Sequence, residues 1–199
     1  MQLEDTLLVE LVDHTIDPED TMGLAASVCY DADPSREKCI NRVKSAVKND
    51  HGMVLRFAYA TFGISGISRV CSHQFVRVAH AGILQQSQRY VEQTELRFID
   101  PPALLNIPVD LQERWMRIQS EAKALYGELV GDKLMRKEDA RYIIPQGCDT
   151  ILVATMNFQA WRHMLHFRTE KHAQWEIREV ANRIKQQLEI IAPSVFTEV

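Results

Sequence analysis

Between residues 68 and 90 the sequence reads SRVCSHQFVRVAHAGILQQSQRY. Three arginines (Arg69, Arg77, Arg89), two histidines (His73, His80) and a Gln-Gln-Ser-Gln run share this window, and no acidic residue interrupts it. A guanidinium is a rigid fork of donors that matches phosphate oxygens. Serine and glutamine side chains add bonds to phosphate or to the amide edge of a base. Such a window can build a pocket for an anion or a nucleotide. It can equally be a helix with a basic, solvated face, and composition alone leaves both open.

Other reactive side chains are dispersed. The four cysteines, Cys29, Cys39, Cys71 and Cys148, form no C-x-x-C pair, which argues against a compact zinc site or a disulfide scaffold and for reduced, mostly buried thiols. No metal ligand set is expected. Ser87 has no histidine and aspartate relay in sequence reach, so its hydroxyl reads as a phosphate ligand and not as a nucleophile. Trp161 and Trp175 have the size to stack on a planar ligand, although large aromatics at helical spacing usually build core.

These residues need elements to position them. Residues 7–13 alternate, and Asp17-Pro18-Glu19-Asp20 opens a helix through 22–29 that the turn at 31–34 stops. A second helix is predicted over 37–49. Residues 53–67, rich in aromatic and β-branched side chains, form the best strand candidate, with Gly63 and Gly66 as bulge or turn points. Ser68 reads as the N-cap of a helix reaching about Ala81. A short strand at 96–99 precedes Pro101 and Pro102. Leu111, Trp115, Ile118, Ala122, Leu125 and Leu129 recur at helical spacing and predict a long amphipathic helix over 109–130. A short helix after Lys137 ends before Pro145, a strand is expected at 148–157, and helices at 158–167 and 173–191. The last carries Ile177, Ala181, Ile184, Leu188 and Ile191 on one side.

The whole chain of 199 residues suits a single domain, with 46% hydrophobic and 25% charged residues. A formal net charge of -4 gives no general case for binding nucleic acid or a membrane. No apolar run is long enough for a membrane span, and the opening MQLEDTLLVELVD is acidic where a secretory signal would be basic. A cytoplasmic protein is the expectation.

In two blocks the sequence resembles the flavin-dependent thymidylate synthases. Their signature is Arg-His-Arg, seven residues, then Ser, followed by x-Arg-Tyr. Here Arg77 stands at the first arginine, Ser87 at the serine, and Arg89-Tyr90 complete the motif, with Gln74 three residues before Arg77. The second block is HAQWEIREVA at 172–181, with Arg168 four residues upstream. Asp139-Ala140-Arg141 ahead of Pro145, Asn157, and the opening LVDHTIDPEDTMGLAASVCY fit the stretches around these blocks.

This resemblance implies an α+β fold: an antiparallel sheet flanked by helices, one domain, assembled as a homotetramer with active sites at subunit interfaces. It implies a nucleotide-binding set of Gln74, Gln85, Ser87, Arg89, Arg141 and Arg168, with Arg77 and Arg168 as catalytic candidates. Arg141 would meet Ser87 and Arg89 across an interface. For the flavin it implies His51, Arg77, Asn157 and His163. The implied reaction is methylation at C5 of a pyrimidine nucleoside monophosphate, dUMP or a close analogue. Methylenetetrahydrofolate would supply the carbon, FAD the hydride and NADPH the reducing equivalents.

The flavin half departs from the family pattern. The histidine and second arginine of Arg-His-Arg are Val78 and Ala79, and the Asn-Glu or Asn-Gln pair before the serine is Leu84-Gln85. The family's Glu-His at the end of the preceding strand segment reads Arg56-Phe57. An arginine near the end of the first helix reads Ser27, and one two residues past the matched asparagine reads Gln159. Losing fixed positive charge matters in a site for an anionic reduced flavin. Arg56, His80 or His163 can supply replacement charge. The alternatives are a pyrimidine-nucleotide hydroxymethylase that closes the exocyclic methylene with water, or a catalytically silent nucleotide-binding homologue. Cys71, six residues before Arg77 on the predicted helix, would suit attack at pyrimidine C6 if its arginine-rich surroundings lower its pKa; the plain alternative is a buried helix cysteine.

Overall fold

The structure, a computed structural model, describes residues 7–197; the acidic opening is described only from Leu7 onward. Four antiparallel strands form one sheet in the order β1-β2-β4-β3: β1 (Leu8–His14), β2 (Tyr59–Ser68), β3 (Gly82–Gln85) and β4 (Asp149–Asn157). Eight α-helices are described: α1 (Pro18–Val28), α2 (Arg36–Lys48), α3 (Arg69–Phe75), α4 (Val109–Gly131), α5 (Lys137–Ala140), α6 (Phe158–Arg168), α7 (Trp175–Ile191) and α8 (Pro193–Phe196). The α+β class expected from the sequence is what the chain adopts.

The period-2 pattern of the central strands explains the layers. Ala60, Phe62 and Ile64 on β2 and Leu152, Ala154 and Met156 on β4 are buried and face α6 and α7. Trp161 of α6 is the largest buried side chain. Its indole Nε1 donates to the Ala60 carbonyl at 3.0 Å, and its ring meets Phe62 edge-on at 5.2 Å. It is core, not a stacking platform. Ile177, Val180, Ala181, Ile184 and Leu188 bury the apolar side of α7 in the same core.

Several boundaries differ from expectation. The strand predicted over 53–67 begins only at Tyr59, because Gly52–Phe57 winds into a 3-10 helix. Gly66, at φ 70°, marks the register shift between Ile64 and Ile67, the bulge that glycine permits. The predicted helix to Ala81 stops at Phe75. Two β-branched valines, Val76 and Val78, weaken its continuation, and a left-handed turn at His80 (φ 61°) swings the chain into β3, a strand that sequence patterning did not reveal. Arg77 therefore lies in the turn beyond α3 and not on the helix that carries Cys71. The short strand at 96–99 is reduced to one bridge between Phe98 and Cys148, and α7 starts at Trp175 rather than 173.

Two surfaces remain uncovered. Of the 23 residues of α4 only Gln119, Ala122 and Tyr126 are buried, so Leu111, Trp115, Ile118 and Leu125 stay exposed. The second face of the sheet presents Val12, Leu84, Ile151 and Val153. The apolar side of α7, by contrast, is covered by the sheet and the neighbouring helices.

Candidate functional site

The nucleotide end is built on a buried anchor. Ser68 closes β2 and caps α3: its Oγ accepts from the Cys71 amide at 3.0 Å. The same serine donates its N–H and its Oγ–H to the Glu176 carboxylate, both at 2.6 Å. This clamps the start of α7 to the start of α3. Burial pushes the Glu176 carboxyl pKa up, against the pull of the two Ser68 donors.

Cys71 lies in the same buried layer. Burial, and secondarily the Glu176 charge, pushes its thiol pKa well up; the positive charge of Arg168 opposes this only in part. The idea that arginines activate Cys71 as a nucleophile is corrected: desolvation outweighs the guanidinium. It is a core thiol, as are Cys39 and Cys148, while Cys29 is exposed.

After α3 the chain returns through β3. Gln85 at its end donates from Nε2 to Ser72 Oγ (2.9 Å) and Thr150 Oγ1 (3.0 Å), tying β3 to α3 and β4. Half of this amide is thus spent inside the protein, and its carbonyl oxygen is what remains for a ligand. Ser87 then turns the chain: its carbonyl accepts from Val91 N–H (2.9 Å) and its Oγ from Arg89 N–H (3.2 Å).

The turn delivers Arg89 to α5. Arg89 Nε donates to Glu138 Oε2 at 2.9 Å, and Arg141 Nε donates to the Glu138 carbonyl at 3.0 Å. Two of the sequence-derived phosphate arginines thus bond one residue, Glu138, within one chain. In both, Nε is used and the outward-pointing Nη pair is left for an anion. Arg89 also lines a cavity of about 520 Å³ with Lys133, Arg136, Lys137 and Glu138, a strongly basic recess. The sequence reading did not single out Glu138. Its spacing three before Arg141 on a helical segment was the available signal.

Arg168 ends α6, and Gln74 sits half-buried on α3. Neither side chain has a hydrogen bond or ion pair among the described residues, so both are free for a ligand; the charge of Arg168 acts on Cys71.

The flavin end is differently made. Asn157 caps α6, its Oδ1 accepting from Ala160 N–H at 2.9 Å. It lines a cavity of about 310 Å³ with Arg56, Ala79, His80, Gln159 and His163. An adjoining recess of about 220 Å³ shares Gln159 and His163. His163 also meets Phe167 edge-on at 4.9 Å. Two of the four sequence-derived flavin residues, Asn157 and His163, thus come together. The other two do not join them: Arg77 is exposed in its turn, and His51 is exposed before the 3-10 helix. All three side chains named as replacement charge, Arg56, His80 and His163, line this one cavity, and no carboxylate does. Such a donor set fits an anionic group such as the phosphates of a flavin.

A third cavity, apolar and of about 430 Å³, lies between α4 and the start of α7 and includes Trp115 and Trp175. Trp115 Nε1 donates to Asp100 at 2.7 Å, and both Glu176 oxygens are taken by Ser68. Among the described residues no group of three or more His, Cys, Asp or Glu side chains is arranged to hold a metal ion. No described helix is long and apolar enough to cross a membrane.

A family model described as "Thymidylate synthase complementing protein" matches residues 10–194. The chain belongs to the flavin-dependent thymidylate synthase family. It is 35% identical over 192 residues to the flavin-dependent thymidylate synthase of Pyrococcus furiosus, covering 90% of this chain and 78% of that protein. The corresponding protein of Clostridium tetani is 30% identical over 210 residues, covering 94% and 84%. That of Mycobacterium tuberculosis is 31% identical over 192 residues, covering 87% and 76%. Membership makes the chain a transferase by kind. The flavin-dependent synthase family is therefore the frame in which the substituted positions 56, 78, 79 and 159 have to be understood.

Proposed function

We propose that the chain transfers a one-carbon unit to C5 of a pyrimidine nucleoside monophosphate, dUMP or a close analogue, as a thymidylate synthase of the flavin-dependent type. The observation that carries this reading is the convergence of Arg89 and Arg141 on Glu138 beside the Ser87 turn. The Nη groups of both arginines and the Ser87 hydroxyl supply the donors that one phosphate monoester requires. Arg168 and Gln74, both without a hydrogen bond or ion pair among the described residues, remain for the base: Gln74 reads an amide edge, and Arg168 stabilises the anionic form of the pyrimidine ring that makes C5 nucleophilic, a charge that is spent as C5 forms its bond to the one-carbon unit.

Methylenetetrahydrofolate is the carbon donor in this reading. A flavin, kept reduced by NADPH, supplies the hydride that turns the exocyclic methylene into methyl. Arg56, Asn157, His80 and His163 would hold it. The exposed apolar faces of α4 and of the sheet, more than scattered surface leucines account for, support closed association of identical chains, and we assign a homotetramer.

A second reading has its own observation. Ala79 lines the flavin cavity where the family pattern places a cation, and Arg77 stands outside that cavity. A hydroxymethylase that adds water in place of hydride would tolerate both. One experiment separates the readings: purified protein is scanned for bound flavin, which absorbs near about 450 nm, and then incubated with dUMP and methylenetetrahydrofolate, with and without NADPH and FAD. A methylated product that requires FAD and NADPH supports the first reading. A hydroxymethylated product formed without them selects the second, and binding of dUMP with no product leaves a silent homologue.

A further inference from the structure

Position 159 is where the family pattern has an arginine and this chain has glutamine, and position 56 is where the pattern has an acid and this chain has arginine. The structure joins these two departures: Arg56 Nε donates to Gln159 Oε1, across 103 residues of sequence. The other side of the amide lies close to Gly52: a Cβ there would stand 2.5 Å from Gln159 Nε2 and would have to displace it. The Gln159 carbonyl faces Arg56.

This arrangement leaves the rest of the guanidinium available. Arg56 has no carboxylate partner and no other hydrogen bond among the described residues. With Nε spent on Gln159, the Nη pair is the free edge of the fork, the one suited to two phosphate oxygens. The cavity it lines also presents His80 and His163 and the start of α6, and contains no acid to compete.

We propose that Arg56, steered by Gln159, holds the diphosphate of a flavin dinucleotide, so that the positive charge of this subsite has moved from position 159 to position 56. The proposal rests on the reading of the chain as a flavin-binding synthase and adds the residue that anchors the cofactor. It predicts which part of the flavin each variant senses. Arg56→Gln removes contacts to the diphosphate and none to the ring system.

The test is a set of fluorescence titrations of the full chain with FAD and with riboflavin, alongside calorimetric titration with dUMP. Charge-assisted hydrogen bonds of about 1.5–3 kcal/mol imply at least a tenfold loss of FAD affinity in Arg56→Gln. Riboflavin and dUMP affinities should stay as in the unsubstituted chain. Arg56→Lys, which keeps charge and loses the fork, should fall between. The double variant Arg56→Gln/Gln159→Arg returns the charge to its family position and should recover FAD binding.

Unchanged FAD affinity in Arg56→Gln overturns the proposal and leaves the synthase reading standing. Equal losses for FAD and riboflavin also overturn it, since Arg56 would then act on the ring or on the fold. Binding of dUMP with no measurable FAD affinity in the unsubstituted chain overturns it together with the hydride step. Failure to bind either ligand overturns the functional reading itself.

Discussion

The two ends of the site are supported in opposite ways. At the nucleotide end the motif residues stand on a buried network: Ser68 caps α3, Glu176 clamps Ser68, and Gln85 bonds Ser72 and Thr150 beneath the Ser87 turn. At the flavin end the key contact, Arg56 to Gln159, is exposed and joins two side chains that both differ from the family pattern. A buried polar network is over-determined, because removing one partner strands the others without water. An exposed pair has no such constraint, so a charge there can change its position in the sequence and keep its place in space. The constraint holds for the supports beneath the nucleotide end and not for Arg89 and Glu138 above them, which are exposed as Arg56 and Gln159 are.

The contrast breaks most visibly at Arg168. Its side chain has no hydrogen bond or ion pair among the described residues, and under the proposed role toward the base Arg168→Ala should lower kcat by about 10²–10³-fold with little change in thermal midpoint. A loss of stability with turnover preserved would make it a structural residue instead. Steady-state kinetics and a melting curve on one preparation decide this.

Next in size is Arg89→Ala. Loss of one charge-assisted phosphate contact should weaken dUMP at least about tenfold and leave deoxyuridine, which has no phosphate, unaffected. Its ion pair with Glu138 is solvent-exposed and contributes little to folding, so stability should hold. Calorimetry with the two ligands measures the difference, and equal weakening of both would remove the phosphate assignment.

The smallest expected effect tests the buried anchor. The Glu176 pKa is raised in the folded protein. The stability tied to its protonated form is therefore fully present below the unfolded value, about 4.3, and is lost as pH rises through the folded value. Glu176→Gln removes the titration; its amide oxygen can still accept from the Ser68 N–H, and its NH2 replaces the second acceptor with a donor toward Ser68 Oγ. Its thermal midpoint should gain on that of the unsubstituted chain as pH climbs from below that window to above it. Parallel pH profiles for the two proteins would show that Glu176 is not held in a desolvated site.

Much of this was legible in the residues. The apolar side of α7, the N-cap at Ser68 and the Gly66 bulge are local signals of period, capping and backbone freedom, and each was found where expected. The end of α3 and the strand β3 were not legible. Val76 to Ala81 carries a short, mixed pattern, and pairing with β4 decides its conformation. Of the two readings of Cys71, the buried helix cysteine is the one the structure favours; the sequence shows the neighbouring arginines but not the depth of burial, and burial governs a thiol.

The sequence by itself determined the family and the α+β class, because these depend on residue types at fixed short spacings. Tertiary structure alone decided that Arg89 and Arg141 share Glu138 within one chain, that Arg77 stands apart from the cavity, and that Arg56 lies on Gln159. Each of these depends on distances between residues far apart in the chain or on solvent exposure. Sheet order and helix packing set those quantities, and no local spacing encodes them.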